Sequence, residues 1–253
     1  MQFRFANIEK LPQPPQIHLV KGNFVHRVLE LLLGNDPESR TVEAARLAFD
    51  QARAEYEPSA RFKALQMSQD ACDAFFKDSR ELVNGYYRME NPRNAKIIGL
   101  ELRLDADFGK FKLGGIIDRL EHNEKGELVV SDYKTGKVPD ARFGANKMDN
   151  MHLYASLCLR ERGELPKKLR LMYLKTSTPI EVQVTEESNA ACERDAIDTF
   201  DQIDASCKSG VFTTIKSGLC NFCAFKKWCP AFGGDDSLAK VEAPLLYPKL
   251  ERD

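Results

Sequence analysis

The spacing of apolar residues in the first third of the chain is that of α-helices. Residues 16–34 predict a first helix that stops at Gly34. Helical spacing continues over residues 41–57 and 61–89, with a break near Pro58. The apolar positions that define the first helix are Leu19, Phe24, Val28, Leu31 and Leu32. The charged, alanine-rich segment from 37 to 92 is therefore predicted to be a helical insertion.

After Pro92 the apolar period changes to two residues, which is typical of β-strands. Consecutive strands are predicted over residues 96–108, 110–122 and 126–136. The elements that follow are a helix over 148–163, strands over 167–177 and 179–185, and a helix over 188–210. This order predicts a mixed α/β fold around a central sheet. The last stretch of about 20 residues, rich in charge and proline, is predicted to be a loose tail.

Composition excludes some classes of protein. The 253 residues carry a net charge of -1, so no overall positive field attracts nucleic acid, and any such binding must rest on a local patch. No apolar run approaches the roughly 20 residues that a membrane span needs. The N-terminus lacks the apolar block of a secretory signal, which favours a cytoplasmic protein without a membrane partner.

Two aspartates and a lysine stand on neighbouring predicted strands. The loop centred near Lys125 puts Asp118 opposite Asp132, with the Cβ atoms of such a pair about 5 Å apart. Asp132 and Lys134 share one strand face because the side-chain period is two. Crowded carboxylates repel each other unless a cation neutralises them, and oxygen ligands suit Mg²⁺ or Mn²⁺. This set predicts metal-dependent phosphodiester hydrolysis, and the alternative is a solvated face of an edge hairpin.

Further polar residues accompany this hairpin. His26 follows Gly22 by four residues in the first helix, and the helix after the hairpin carries Asn150 and Tyr154. Each of them, taken singly, also fits an ordinary packed helix face. Glu101, on the strand before the hairpin, fits a strand-face charge equally well.

Together these motifs resemble the RecB-type branch of the PD-(D/E)xK nucleases. The matching segments are G-x-x-x-H, G-G-I-I-D-R, S-D-Y-K-T-G-K and L-Y-A, and they extend from about residue 22 to 229. That branch includes the nuclease domains of bacterial recombination helicases and CRISPR-associated RecB-like exonucleases. The resemblance implies a restriction-endonuclease-like core, in which a mixed sheet is flanked by helices. The segments expected are 1–36, 37–92 (insertion), 93–210 (nuclease core), 211–234 (cysteine segment) and 235–253 (tail).

The resemblance also assigns roles to residues. It implies metal ligation by His26, Asp118, Asp132 and the carbonyl of Tyr133, and it makes Lys134 the catalytic lysine. The family usually has a glutamine four residues before the tyrosine corresponding to Tyr154. This chain has Asn150 there, which keeps the amide but reaches less far. Glu101 occupies a position at which many relatives carry an acidic residue.

Three of the seven cysteines, Cys220, Cys223 and Cys229, are spaced C-x-x-C-x₅-C, which indicates a metal in a reducing compartment. Zinc and iron–sulfur sites take four ligands, one more than this motif offers. The resemblance implies a [4Fe-4S] cluster whose fourth cysteine precedes the G-x-x-x-H helix, with zinc as the alternative. No cysteine lies there, which leaves two alternatives: an upstream extension of the natural protein or an internal cysteine supplies the fourth ligand. The internal cysteines Cys72, Cys158, Cys192 and Cys207 are more typical of buried small hydrophobes.

Basic and aromatic residues alternate in two regions, a pattern that suits phosphates and unstacked bases but also ordinary packing. They are Phe222, Phe225 and Trp228 with their neighbouring lysines, and Arg142, Phe143 and Lys147. The resemblance favours single-stranded DNA ends. No G-x-x-x-x-G-K-[ST] motif is present, so any unwinding is expected from a helicase or repair partner.

The sequence therefore predicts a metal-dependent DNA nuclease, an exonuclease of DNA repair or processing. Two alternatives stay open at this point. One is an inactive nuclease fold that binds DNA or acts as a scaffold. The other is a zinc-stabilised interaction protein, which accounts for the cysteines but leaves the charged hairpin unexplained.

Overall fold

A computed structural model describes residues 1–139 and 141–247, without the side chains of 141–147 and 149. The α-helices among the described residues are α1 (Ile17–Leu33), α2 (Val42–Tyr56), α3 (Ala60–Lys63), α4 (Gln69–Met89), α5 (Ala141–Arg162), α6 (Glu186–Ser209) and α7 (Ala239–Leu246). The strands are β1 (Lys96–Asp107), β2 (Lys112–His122), β3 (Leu128–Lys134), β4 (Lys168–Tyr173) and β5 (Thr178–Gln183). Among the described residues, no helix is both long and apolar enough to cross a membrane.

The five strands form one sheet in the order β1-β2-β3-β4-β5. Neighbouring strands are antiparallel except β3 and β4, which are parallel and are joined through α5. A parallel pair needs such a crossover because its second strand must start again at the same end of the sheet. In this β3–α5–β4 unit the chain leaves the carboxyl end of β3 for α5. The carboxyl end of β3 therefore lies at the end of the sheet where loops and helices meet.

Helices α1, α2 and α4 pack together around a group of aromatic rings. Phe24 of α1 has no solvent exposure, and four rings lie 5.1 to 5.8 Å from its own. These partners belong to Phe49, Tyr56, Phe75 and Phe76. The same core includes Tyr133 of β3 and Met172 of β4, so it joins the helices of residues 37–92 to the sheet. The segment boundaries given above remain a prediction.

The end of α4 lies directly against the sheet. A Cβ added at Gly85 would overlap the backbone carbonyl oxygen of Leu174, which follows β4. Any side chain at this position would push the helix away from the strand. Gly85 thus allows the close approach that sets the distance between α4 and the buried end of β4.

The segment of residues 61–89, predicted as one helical stretch, forms two helices. Gln66 adopts a left-handed conformation (φ 48°), and the Ser68 hydroxyl accepts a hydrogen bond from the Ala71 backbone as α4 begins. This N-cap satisfies a backbone donor that has no partner inside the helix. Leu19 also differs from the sequence prediction, which counted it among the apolar positions of the first helix. It is exposed, and the buried face of α1 runs through Val20, Phe24 and Val28. Helix α5 begins at Ala141, earlier than the apolar pattern indicated.

The two ends of the described chain share a third, smaller core. Phe5 and Leu11 from the N-terminal segment pack with Phe225 and Trp228. Helix α7 adds Ala239 and Ala243 to this core. The prediction of a loose tail over 235–253 was therefore wrong for α7, because its small side chains are buried. Residues 248–253 lie outside the described part.

Trp228 and Phe225 are only 1% exposed, so of the two interpretations left open by the sequence, ordinary packing applies to these rings. The Trp228 indole N–H donates to the carboxylate of Glu242 (2.8 Å), a bond that fixes the ring inside this core. Phe222 is different, because 83% of its surface is exposed. Phe222 alone among these three aromatic residues could meet a nucleic acid.

Candidate active site

One face of α1 meets the end of β3. His26 and Gly22 lie four residues apart and so occupy the same helix face. His26 Nε2 lies 2.9 Å from the backbone carbonyl oxygen of Tyr133. A Cβ at Gly22 would come within 3.6 Å of the Thr135 hydroxyl. The G-x-x-x-H spacing thus places both residues against the stretch of chain that surrounds Lys134.

The β2–β3 hairpin brings the two aspartates together. Arg119 pairs with Ser131 in the antiparallel register, so Asp118 and Asp132 occupy the next opposed positions. Both aspartates are buried. Asp118 Oδ2 accepts a hydrogen bond from the Tyr133 backbone N–H (2.7 Å). Its other oxygen, Oδ1, lies 3.5 Å from His26 Nδ1.

The lysine predicted to be catalytic is paired with the second aspartate. Lys134 Nζ lies 2.5 Å from Asp132 Oδ2, and the Lys134 side chain is about one-third exposed. Burial and the charge of Asp118 raise the pKa of Asp132, while the charge of Lys134 opposes this rise. The two aspartates therefore interact unfavourably in the absence of further cations, as their opposed positions in the sequence predict.

Glu101 completes this group from β1. Its Oε1 lies 4.0 Å from His26 Nδ1, and one ligand atom each from Glu101, His26 and Asp118 lie within 4.8 Å of one another. Burial and the charge of Asp118 raise the pKa of Glu101 to about 7. The structure thus places Glu101 among the charged residues of the site, a choice that its sequence position had left open.

The backbone of Glu101 is strained. Its φ of 43° is left-handed, which costs about 1–3 kcal/mol for a residue other than glycine inside a strand. The register opposes Leu100 to Arg119 and Leu102 to Ile117, so Glu101 stands across from Asp118. Such local distortions turn a side chain away from its regular direction. Here the distortion accompanies a carboxylate directed at His26.

The donor set fits a divalent cation. Burial lowers the pKa of His26, but the hydrogen bond and charge of Asp118 outweigh it and raise this pKa to about 8. The raised pKa of His26 reflects the excess of negative charge around the imidazole, whereas that of Glu101 is due first to burial and then to the charge of Asp118. Carboxylate oxygens, an imidazole nitrogen and the Tyr133 carbonyl are ligands that Mg²⁺ or Mn²⁺ accepts. A bound cation would relieve the repulsion among the carboxylates.

The two residues predicted on α5 are placed differently. Burial, and after it the charges of Asp132, Asp118 and Glu101, raise the pKa of Tyr154. A Cβ added at Gly115 would come within 2.9 Å of the Tyr154 ring, so this ring packs against β2 three residues before Asp118. Asn150 is exposed and lines a cavity of about 640 Å³ between α5 and α6. No contact within the described part of the chain links Asn150 to the aspartates or Lys134. The side chains of Arg142, Phe143 and Lys147 lie outside the described residues.

Residues 1–230 match the family model of the PD-(D/E)XK nuclease superfamily. The chain belongs to the PD-(D/E)XK nuclease superfamily. Its five-stranded mixed sheet flanked by helices is the fold of this superfamily, so the predicted fold class is confirmed. Nucleases of this superfamily use divalent metals, which agrees with the donor set around His26.

The solved structures that resemble this chain are distant from it in sequence. A candidate exonuclease from Eubacterium rectale is 13% identical, with a TM-score of 0.52 over 82% of this chain and 73% of that one. A protein named SSO0001 is 18% identical, with a TM-score of 0.42 over 84% of this chain and 95% of that one. At these identities the first of these structures supports the fold alone. A search of curated proteins found no match to the PD-(D/E)XK chain.

The three clustered cysteines form a second candidate site. Cys220, Cys223 and Cys229 line a cavity of about 140 Å³, together with Met1 and Phe5 of the N-terminal segment. The other four cysteines lie elsewhere: Cys158 is buried in the core beneath α5, Cys72 packs against the α1–α4 core, Cys192 lines the α5–α6 cavity, and Cys207 is exposed. The expectation of burial is therefore wrong for Cys207. Within the described residues, the cavity offers three thiol ligands.

We expect His26→Ala to lower nuclease activity without unfolding α1. Alanine is the better helix former, and His26 is only half-buried at the surface of the site. Loss of a metal ligand should reduce activity by about tenfold or more. Activity measured beside thermal melting checks this. A mutant that melts far earlier while its folded fraction cuts at the normal rate would make His26 a core residue.

Proposed function

We propose that this PD-(D/E)XK protein is a metal-dependent deoxyribonuclease of the RecB-like branch, an exonuclease that acts on single-stranded DNA ends in repair or recombination. The observation that carries the proposal is the convergence of His26, Glu101 and Asp118 beside the Asp132–Lys134 pair. Three separate parts of the chain, α1, β1 and the β2–β3 hairpin, supply these groups. A solvated hairpin face would not require charged residues from α1 and β1 to lie beside it.

Each group has a task in phosphodiester hydrolysis. His26, Asp118, Asp132 and the Tyr133 carbonyl would hold Mg²⁺ or Mn²⁺, with Glu101 as a further acidic neighbour. The bound cation would supply an activated water and neutralise a phosphate oxygen. Lys134 stands beside Asp132 and would place its ammonium group against the negative charge that develops on the phosphate. Tyr154 would orient the substrate or the attacking water, and Asn150 stays a weaker candidate for the same task.

The preference for single-stranded ends is supported by the resemblance of the motifs. The chain contains no phosphate-binding loop for ATP, so a helicase or repair partner would have to supply unwound DNA. Phe222 is an exposed aromatic ring on which an unstacked base could lie. A cytoplasmic location is part of the same proposal, because the substrate would be chromosomal or foreign DNA.

Digestion of end-labelled DNA tests this function. Single-stranded and duplex DNA, with RNA of the same sequence, are incubated with Mg²⁺, Mn²⁺ or EDTA. We expect metal-dependent shortening of single-stranded DNA from one end and none in EDTA. Cleavage that EDTA does not affect would refute the metal mechanism.

An inactive nuclease fold that binds DNA or acts as a scaffold is the second candidate. It predicts DNA binding without cleavage under every metal condition. The intact set of Asp118, Asp132 and Lys134 favours the enzyme, because a binding module does not need two buried carboxylates paired in this way. The same digestion assay, run beside a DNA-binding assay, separates the two.

A [4Fe-4S] cluster is proposed at the cavity lined by Cys220, Cys223 and Cys229, with zinc as the alternative. Three cysteines around one cavity fit three of the four ligands that such a cluster requires. The four other cysteines lie elsewhere, so the fourth ligand is not among the described cysteines. A metal here would join the cysteine segment to the N-terminal residues that share its small core.

If a fourth cysteine completes the site, we expect protein purified without oxygen to contain iron and to be brown. With the three thiolates of this chain alone, the cluster should be held poorly and lost in air. Replacing any one of Cys220, Cys223 and Cys229 by serine should remove most of the iron, because each thiolate is a ligand. The matched control is Cys207→Ser, since Cys207 is exposed and outside the cavity. Metal analysis and visible absorbance make the measurement. Stoichiometric zinc without iron after anaerobic purification would discard the iron–sulfur cluster.

A further inference from the structure

An arginine is completely buried behind the hairpin that carries the aspartates. Arg119 follows Asp118 directly, and its side chain has no solvent exposure. Its guanidinium donates to the Tyr86 hydroxyl (3.1 Å) and to Glu121 Oε1 (3.0 Å). It also donates to both oxygens of Glu90, the residue directly after α4. Arg119 therefore connects β2 to α4 through Tyr86 and Glu90.

The two carboxylates in this network are shared with a second arginine. Arg170 of β4 donates to Glu121 Oε1 (3.3 Å) and Glu90 Oε2 (3.4 Å), and the Ser131 hydroxyl donates to Glu121 (3.3 Å). Burial would raise the pKa of Glu90, but the charge and hydrogen bonds of Arg119 hold it below its usual value. The network is thus charge-balanced, and it spans three strands and one helix.

This network encloses the side chain of Tyr133. The Arg119 guanidinium carbon lies 5.8 Å from the centre of the Tyr133 ring. The rings of Tyr86 and His26 meet the same ring edge-on, each at 5.9 Å. The peptide groups of Tyr133 carry the contacts described above, with its N–H bonded to Asp118 and its carbonyl to His26. Tyr133 is therefore the residue through which two candidate metal ligands are linked.

Stability alone does not explain a network of this kind. Desolvation offsets the attraction within a buried ion pair, so well-packed apolar residues often serve as well. A guanidinium, however, has a fixed planar fork of donors and orients several partners at once. That property matters where a neighbouring site needs a defined geometry.

We propose that Arg119 is a positioning residue for the metal site. Glu90 and Glu121 fix its guanidinium, which together with the Tyr86 ring holds the Tyr133 ring, and so the peptide groups that fix Asp118 and His26 relative to each other. The proposal rests on the proposed function, because it takes these two residues as metal ligands. It assigns a role to the arginine of the G-G-I-I-D-R segment, whose neighbouring aspartate is the predicted ligand.

The test compares Mn²⁺ binding by Arg119→Lys and by the unchanged protein, using calorimetry. Lysine keeps the charge, but its single ammonium group cannot reach all three partners in the geometry of the fork. We expect affinity to fall by about 10- to 100-fold, the usual effect of changing a group that orients a metal ligand. Circular dichroism shows that each sample is folded at the temperature of measurement. Folded Arg119→Lys protein that binds Mn²⁺ as tightly as the unchanged protein overturns the proposal.

Arg160→Lys is the matched control. Like Arg119, Arg160 makes an ion pair, to Glu193 (2.6 Å), and a contact with an aromatic ring. Its guanidinium carbon lies 4.2 Å from the centre of the Phe108 ring. Arg160 belongs to the α5–α6 face and should leave Mn²⁺ affinity unchanged. If Arg119→Lys does not fold, Tyr86→Phe and Glu90→Gln each remove one partner of Arg119 and keep its charge. A weaker Mn²⁺ affinity in these two variants supports the proposal, and normal affinity in both overturns it.

A metal-free measurement separates this proposal from the function. The ring-nitrogen NMR signals of His26 should move in Arg119→Lys and stay in place in Arg160→Lys. That result supports the positioning role even if the unchanged protein cuts no DNA, a failure that would refute only the nuclease proposal. Unmoved His26 signals in Arg119→Lys, with the unchanged protein active, would refute the positioning role and leave the nuclease proposal standing.

Discussion

Replacing Asp118 or Asp132 by asparagine, or Lys134 by alanine, is expected to abolish DNA cleavage. Each aspartate change removes a charged metal ligand at a position where the structure crowds two carboxylates beside His26. The lysine change removes charge stabilisation worth about 3 kcal/mol, or about a hundredfold in rate. The measurement is the initial rate of cleavage of end-labelled single-stranded DNA, with DNA binding measured in parallel.

The folded structure should survive these changes. Asparagine at 118 can still accept the Tyr133 N–H hydrogen bond, and Lys134 is one-third exposed, so thermal melting should change little. Matched controls come from the far end of the same hairpin, where Glu124→Gln and Lys125→Ala alter exposed loop residues. These should cut at the normal rate. Normal rates in any of the three site variants would remove that residue from the site.

Phe24→Ala is expected to cause the largest loss of stability that we predict. The ring is fully buried among four aromatic neighbours from α2 and α4, so its removal leaves a cavity that helices can fill only in part. Changes of this kind cost about 3–5 kcal/mol. For a chain of this length that corresponds to a fall in melting temperature of roughly 10 °C. Chemical denaturation followed by circular dichroism measures the free energy.

The control for this variant is Leu47→Ala on α2, where 65% of the leucine surface is exposed. Its effect should stay within about 0.5 kcal/mol. Phe24 lies two residues before His26 on α1. Loosening this core should therefore also weaken metal binding, because α1 carries a candidate ligand. An unchanged melting temperature in Phe24→Ala would show that this aromatic core contributes little to stability.

The sequence by itself determined the local elements and the hairpin register. The change of apolar period from helical spacing to two is a local property, and it located the strands to within a few residues. The loop around Lys125 fixed the pairing of β2 with β3, because shifting an antiparallel pair by one residue would turn its buried side chains to solvent. Asp118 and Asp132 could therefore be placed opposite each other without any tertiary information.

The resemblance of the motifs indicated the superfamily, which the match to the family model confirms. It also suggested His26 as a ligand, and the roles of the site residues remain predictions for the assays above. The cysteine spacing indicated a metal. Whether its neighbours Phe225 and Trp228 pack inside or meet bases stayed open, because the alternation of basic and aromatic residues does not reveal which ring faces the interior.

Only the tertiary structure decided which distant residues meet. His26 and Tyr133 are separated by 107 positions, and the left-handed backbone at Glu101 leaves no mark in the apolar pattern. The burial of Arg119 was equally invisible, because a charged residue in a strand is normally expected at the surface. Periodicity reports the faces of each element by itself. The packing of α1 and α4 against the sheet, which depends on the whole core, sets the geometry of the site.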